Sequence, residues 1–284
     1  MFRFSCADFT FPVLERSRAL KLVKLLGFDH VDLGLFARSS HFSPKDLLES
    51  PQSYATQVLR DLDAASVSVS DVFVQIGLEP SECSANDPSQ TVRTVNRDVF
   101  AHALEFCLAL GCRHITGLPG VFHSMESRGR DIELAMEEAA RRVAECESAG
   151  VRYSIEPHTG SICANVESTL AFLRAVDGLT LTLDYGHFVY AGETSDNVHP
   201  LLSSASHIHV RGGAAGKLQT PVADNAIDFI GMLDRLREIG YGGFLALEYV
   251  WIDWNGCNRT DNVSETILLR RALESTLGQG TEMS

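Results

Sequence analysis

The 284-residue sequence lacks several features that would place it in common functional classes. No apolar stretch approaches the roughly 18–20 residues that a membrane-spanning helix needs. Basic residues are scarce, since 24 Lys and Arg against 37 Asp and Glu give a net charge of −13, which argues against binding a nucleic-acid backbone. The first residues also lack the apolar core and cleavage site of a secretory signal. We therefore expect a cytoplasmic protein with neither a membrane nor a nucleic-acid partner.

Redox and dinucleotide motifs are missing as well. The seven cysteines are an odd number and contain no Cys-x-x-Cys pair, so we expect reduced thiols that pack inside the protein. The segment after the first predicted strand reads DFTFP and has no glycine-rich turn for a dinucleotide. No linker or shift of composition divides the chain. We therefore expect one domain over residues 1–284, with a disordered tail from about residue 278.

Short apolar runs alternate with amphipathic stretches along the whole chain. Strands are predicted over residues 3–9, 30–36, 67–76, 112–118, 151–156, 179–184, 206–210 and 244–250. Helices are predicted over about 14–27, 51–65, 91–110, 132–148, 166–176, 197–203, 227–240 and 264–277. Eight strand–helix units in one uninterrupted domain predict an α/β fold, a closed (β/α)8 TIM barrel, with a doubly wound open sheet as the competing architecture.

Four of the predicted strands end in a side chain that can ligate a metal. These side chains belong to Glu156, Asp184, His209 and Glu248. The downstream ends of the strands meet at one rim of a closed barrel, where three carboxylates would repel each other unless a cation neutralised them. Carboxylate oxygens with a single imidazole favour Mn²⁺ or Mg²⁺. We predict one divalent cation, Mn²⁺ first, with Mg²⁺, Co²⁺ and Zn²⁺ as alternatives.

Further residues near the same rim are candidate substrate contacts. His187 follows Asp184 by three residues, in the predicted loop, and His158 shares the strand face of Glu156, although a satisfied buried histidine is the alternative there. Trp251, after the eighth strand, can stack on a sugar ring or simply pack in its loop.

Two more candidates come from the loops after the fourth and seventh strands. His123 follows the fourth strand, and Arg211 begins the glycine-containing segment RGGAAGKLQTP. The imidazole and the guanidinium could both reach a ligand in the mouth of the barrel.

The order and spacing of these motifs resemble the xylose-isomerase-like sugar isomerase/epimerase superfamily, of the D-tagatose 3-epimerase, hydroxypyruvate isomerase and inosose dehydratase type. The second strand, in GFDHVDLG, is also similar to that group. The resemblance implies that the four rim residues are the metal ligands, that Glu156 and Glu248 also transfer protons, and that His187 contacts the substrate. Two positions depart from it: Ala215 stands where the epimerases carry a substrate-binding arginine, and Asp32 where glutamate is commoner.

The resulting functional hypothesis is a metal-dependent isomerase or epimerase. Its substrate would be a sugar, a keto-sugar or a polyol-derived ketone, and its intermediate an enediolate. A lyase on the same metal site is the first alternative, either an inosose- or dehydroshikimate-type dehydratase or an enzyme that cleaves a 3-keto-glycoside. An apurinic endonuclease and a non-catalytic barrel that serves as a subunit are further alternatives. Expected partners are a small carbohydrate and either a second copy of the chain or a heteromeric subunit.

Overall fold

The chain folds into a closed barrel of parallel strands, as the alternating pattern predicts. The computed structural model describes residues 2–279. Each strand pairs in parallel with the next, and the eighth pairs with the first. The strands are β1 (Arg3–Ala7), β2 (His30–Phe36), β3 (Ser68–Gln75), β4 (His114–Gly117), β5 (Arg152–Ile155), β6 (Thr180–Asp184), β7 (Ala205–Val210) and β8 (Phe244–Leu247).

The helices lie between the strands in sequence, except for the last, which follows β8. They are α1 (Arg16–Leu25), α2 (Pro51–Ala65), α3 (Gln90–Ala109), α4 (Arg128–Ser148), α5 (Val166–Ala175), α6 (Tyr185–Tyr190), α7 (Ser195–Val198), α8 (Phe229–Glu238) and α9 (Asn262–Gln279). Helix α9 includes the first two residues of the expected disordered tail, and residues 280–284 of that tail lie outside the described residues. Among residues 2–279, no helix combines the length and apolar character needed to cross a membrane.

Two local expectations after β6 were wrong. The segment after Asp184, expected to be a loop, is the short helix α6, because the Asp184 side chain accepts a hydrogen bond from the Gly186 amide and caps its first turn. The helix expected over 197–203 is divided into α7 and a 3₁₀ segment, His199–Ser204, in which Pro200 removes a backbone donor.

Several helix ends follow from capping residues visible in the sequence. Ser50 accepts a hydrogen bond from the Ser53 amide and is followed by proline at the first position of α2. Asn165 caps α5 by accepting from the Ser168 amide at 2.9 Å. Gly27, just beyond α1, has a φ of 90°, a backbone angle that glycine adopts without the strain of a side chain.

The apolar core lies on the outside of the barrel, between the sheet and the helices, whereas the inside of the barrel is unusually polar. Val31, Leu33 and Leu35 alternate along β2 and belong to the main core cluster. On the inside, the hydroxyls of Thr116, Ser154 and Thr182 bond to one another at 2.5–3.2 Å. Barrel interiors are more often filled by aliphatic side chains. Hydrogen bonds therefore stabilise the layer directly below the rim.

Candidate active site

The four predicted ligands lie at the same end of the barrel. Glu156 directly follows β5, Asp184 is the last residue of β6, His209 is the fifth residue of β7, and Glu248 directly follows β8. All four are buried, with at most 4% of the residue exposed. Because parallel strands end at a common rim, four separate segments of sequence contribute to one cluster.

The cluster consists of two groups that share Glu156. In the first group, His209 Nδ1 is 2.6 Å from Glu156 Oε1 and 3.5 Å from Glu248 Oε2. In the second group, Glu156, Asp184 and His187 each offer one ligand atom, and these atoms lie within 4.8 Å of one another. Either group has the composition of a divalent-cation site.

The guanidinium of Arg211 lies between the two groups. Its Nη2 is 2.5 Å from Asp184 Oδ2, 3.2 Å from His187 Nε2 and 3.8 Å from Glu248 Oε2. Arg211 was expected to contact substrate, and the ion pair with Asp184 was not anticipated. Since residues two apart on a strand point to the same side, the His209-x-Arg211 spacing could have indicated that the guanidinium enters the mouth.

The electrostatics of the site are dominated by burial and by its opposite charges. Burial raises the pKa of Glu156, but the hydrogen bond and charge of His209 outweigh this effect and lower it to about 2. Burial raises the pKa of Glu248 to about 8. Burial also lowers the pKa of His187 to about 4. The pKa of His209 is raised above its ordinary value, because the charges and hydrogen bonds of the surrounding carboxylates outweigh its burial.

An unpartnered buried atom at the rim is suited to a bound cation. Among the described residues, Glu248 Oε2 has no hydrogen-bond partner, although it is buried. A buried polar atom without a partner destabilises the fold, and coordination or hydrogen bonding to a ligand removes that cost. Three carboxylates and one imidazole are a suitable ligand set for Mn²⁺ or Mg²⁺.

A second polar cluster lies deeper in the barrel, below His209. Asp32, Asp71, His207 and His209 each place one ligand atom within 4.8 Å of the others. Asp32 Oδ2 is 2.6 Å from His207 Nε2 and 3.4 Å from His209 Nε2. Asp71 Oδ1 is 2.7 Å from a nitrogen of His114. Asp32 had been noted only as a departure from the family pattern, and its pairing across the barrel was not predictable from one sequence.

A cavity of about 720 Å³ opens above the rim cluster. Glu156 and Glu248 line its floor, together with Arg211, His158 and His187. A cavity of this size suits a small ligand.

The candidate substrate contacts do not all reach this cavity. Trp251 and Trp254 line it, and the Trp254 ring is 6.0 Å from that of His187. His158 Nδ1 is 3.0 Å from the Thr159 carbonyl oxygen, and His158 Nε2 has no partner among the described residues. His123 does not line the cavity and instead lies 3.1 Å from the Ser84 hydroxyl, while the neighbouring Phe122 does line it. The structure therefore gives no support to His123 as a substrate contact.

Comparison with solved structures finds the same fold in proteins of low sequence identity. An L-ribulose 3-epimerase matches with a TM-score of 0.76 at 16% identity, over 100% of this chain and 98% of that one. A probable 3-DHS dehydratase from Bacillus anthracis matches with a TM-score of 0.68 at 14% identity, over 94% and 98% of the two chains. A xylose isomerase-like TIM barrel protein from Mycobacterium smegmatis, in complex with magnesium, matches with a TM-score of 0.71 at 15% identity, over 98% of each.

Sequence comparison gives the family directly. No curated protein sequence matched the chain. The family described as xylose isomerase-like TIM barrel matches residues 20–273, which is most of the chain and includes all four predicted ligands at the rim. Together with the closed barrel, this match confirms the resemblance noted from the sequence motifs: the protein belongs to the xylose isomerase-like TIM barrel family.

Proposed function

We propose that the protein is a divalent-metal-dependent isomerase or epimerase. Its substrate is a sugar, a keto-sugar or a polyol-derived ketone, and the reaction passes through an enediolate. The observation that carries the proposal is the convergence of Glu156 and Glu248 on one imidazole, His209, at the floor of the cavity. Carboxylates fixed beside a substrate carbon are suited to removing and returning a proton.

Glu156, Asp184, His209 and Glu248 would hold the cation. When bound, it supplies positive charge that stabilises the enediolate oxygen. The ligand set favours Mn²⁺, with Mg²⁺, Co²⁺ and Zn²⁺ as alternatives. The magnesium complex of the Mycobacterium smegmatis relative is consistent with a divalent ion in this family.

The two glutamates divide the proton transfer. They follow β5 and β8, which are not adjacent in the barrel, so their carboxylates can approach a bound ketone from different sides. One carboxylate removes the proton from the carbon next to the carbonyl, and the other delivers a proton to the opposite face, which inverts that carbon. Isomerisation needs the same first step and returns the proton to the neighbouring carbon.

His187 and His158 orient the substrate from the wall of the cavity. Both are at least 95% buried, and their rings are 6.1 Å apart. Trp251 and Trp254, which are 45% and 39% exposed, provide flat surfaces on which a sugar can stack. Arg211 supplies a fixed positive charge between these side chains and the glutamates.

Proton exchange in D₂O tests this proposal. A panel of ketoses incubated with the protein and Mn²⁺ should acquire solvent deuterium at the α-carbon, as read by NMR. Glu156→Gln and Glu248→Gln should each stop epimerisation, whereas Glu167→Gln, on the exposed surface of α5, should not. Isomerisation without deuterium uptake would indicate a hydride shift and would contradict the enediolate mechanism.

A lyase is the second candidate, because two histidines adjoin the same carboxylates. In a β-elimination, one glutamate removes the α-proton and His187 or His158 protonates the leaving hydroxyl. His158 Nε2 is buried without a partner among the described residues, so it is free to bond such a hydroxyl. The fold shared with the 3-DHS dehydratase is consistent with this chemistry. A dehydrated product in the same NMR experiment would favour the lyase.

A further inference from the structure

Arg211 places a fixed positive charge inside the mouth of the barrel. Only 2% of the residue is exposed, and its Nη2 is 2.5 Å from Asp184 Oδ2. The backbone on its C-terminal side is held in place, since the Gly212 amide donates to the Tyr249 hydroxyl at 3.0 Å and the Gly212 carbonyl accepts from the Thr220 amide at 2.8 Å. The guanidinium is therefore a positioned part of the site and not a surface group that has folded inward.

The bonds of Arg211 leave some of its donors free. A guanidinium has five N–H groups, and within the described residues only Nη2 bonds to protein, to Asp184 and His187. Nε is buried without a partner. Because Arg211 also lines the 720 Å³ cavity, a ligand acceptor can approach its unused donors from the substrate side.

The balance of charge at the rim determines which ligands the mouth accepts. The next two steps rest on the proposed function, because they count the cation that it requires. Glu156, Asp184 and Glu248 contribute three negative charges when ionised. A divalent cation alone leaves one of these charges uncompensated, whereas the cation together with Arg211 neutralises all three. An otherwise identical site without the arginine would repel an anionic ligand more strongly.

The number of available cations favours a single negative charge on the ligand. Among the residues that line the cavity, the other arginine is Arg38, whose Nη2 is already 2.6 Å from Glu79 Oε1. Because the charge of Arg211 is already matched by the rim carboxylates, each charge on the ligand is a net addition. A phosphate carries close to two charges at neutral pH and is therefore disfavoured more than a singly charged group. A carboxylate carries one charge and matches the planar donor geometry of arginine.

We propose that Arg211 makes this a site for a carboxylate-bearing substrate, a keto acid derived from a sugar, in preference to a neutral sugar or a sugar phosphate. The carboxylate bonds to the free donors of Arg211, and the carbonyl then lies toward the pair formed by Glu156 and Glu248. Arg211 is then the residue that sets substrate specificity. It takes the role of the substrate-binding arginine of the epimerases, whose position is occupied here by Ala215.

Calorimetric binding with Mn²⁺ tests the proposal without requiring turnover. Each ketohexose of a panel is compared with the ketohexuronate of the same stereochemistry, and the acid of the recognised pair should bind the wild-type protein at least about 10-fold more tightly. Arg211→Gln should remove this preference by weakening binding of the acid more than binding of the neutral member, and Arg211→Lys should retain part of it. Arg38→Gln is the matched control and should keep the preference.

Several outcomes would overturn the proposal. The wild-type protein would contradict it by binding the neutral sugar more tightly than the acid in every pair, or by binding the two equally. It would also contradict the proposal by binding a sugar phosphate more tightly than the acid. In Arg211→Gln, the contradicting result is an equal loss for both members. The wild-type comparison stays decisive if that variant fails to fold. Preferred binding of the acid without deuterium exchange would contradict the proposed reaction but not the role of Arg211. Deuterium exchange without preferred binding of the acid would contradict the role of Arg211 but not the proposed reaction.

Discussion

Replacing Asp32 by asparagine tests how the interior of the barrel supports the rim. Asp32 accepts hydrogen bonds from the hydroxyls of Ser5 at 2.9 Å and Ser70 at 2.5 Å, and it lies 2.6 Å from His207 Nε2. It also lies 3.4 Å from His209 Nε2, the ring nitrogen that faces away from Glu156. Asparagine keeps the shape and one acceptor oxygen but removes the charge that pairs with two imidazoles.

The expected cost follows from burial, since Asp32 and both histidines are at most 1% exposed. Breaking a buried ion pair by changing one partner costs about 3–5 kcal/mol, and the retained amide oxygen places Asp32→Asn near the lower end, at about 3 kcal/mol. The melting temperature should fall by about 6 °C, at roughly 2 °C per kcal/mol for a domain of this size. Because a ligating histidine is normally oriented by a carboxylate on its other nitrogen, Mn²⁺ should bind about 10- to 100-fold more weakly.

Chemical denaturation and calorimetric titration with Mn²⁺ measure these two effects. Asp29→Asn is the control, because Asp29 is 74% exposed in its side chain and pairs only with Lys24 at the surface. That variant should lose less than about 1 kcal/mol and bind Mn²⁺ normally. If Asp32→Asn proved as stable as the control and bound the cation equally well, the inner cluster would not support the rim and the reasoning would be refuted.

Three further variants probe other parts of the structure. His187→Ala should keep the metal but lose turnover or substrate affinity, and loss of the metal instead would mean that His187, not Asp184, is the ligand. Glu138→Gln should lower the free energy of unfolding by about 1–3 kcal/mol at neutral pH. Burial raises the pKa of Glu138, but hydrogen bonds from neighbouring arginines bring it below its ordinary value. The difference between variant and wild type should therefore be complete above the ordinary glutamate pKa and should disappear as the pH falls through the lowered pKa of the folded state. Gly34→Ala would place a Cβ 2.5 Å from the Phe9 ring and should cost about 1–3 kcal/mol by thermal unfolding, whereas Gly129→Ala, which meets no neighbour, should be near neutral.

The barrel could be predicted because its signals are local and repeated. Apolar runs of strand length alternate with amphipathic helices throughout, and residues such as Ser50 and Asn165 mark helix starts by their own hydrogen bonds. The helix α6 was missed because its start depends on the Asp184 side chain, which the sequence suggested only as a metal ligand. A residue that serves two roles gives no separate signal for the second.

The rim cluster was also predictable in outline, since parallel strands bring their ends together whatever the side chains are. Contacts between individual side chains from distant parts of the sequence were not predictable. Asp32 meets His207 over a separation of 175 residues, and Arg211 meets Asp184 between neighbouring strands. Their pairing depends on register and on side-chain length. The contact of His123 with the Ser84 hydroxyl was not predictable either, because a position after a strand places a residue near the rim but does not fix the direction of its side chain.

Metal stoichiometry tests the central claim most directly. Protein that has been stripped with EDTA, dialysed and titrated with Mn²⁺ in a calorimeter should bind one ion per chain at the rim. Glu248→Gln should weaken that binding by at least about 10-fold, because it removes the charge of one of the four ligands, while Glu167→Gln should leave it unchanged. Failure of wild-type protein to bind a divalent cation, or full catalytic activity in the presence of chelator, would contradict the account.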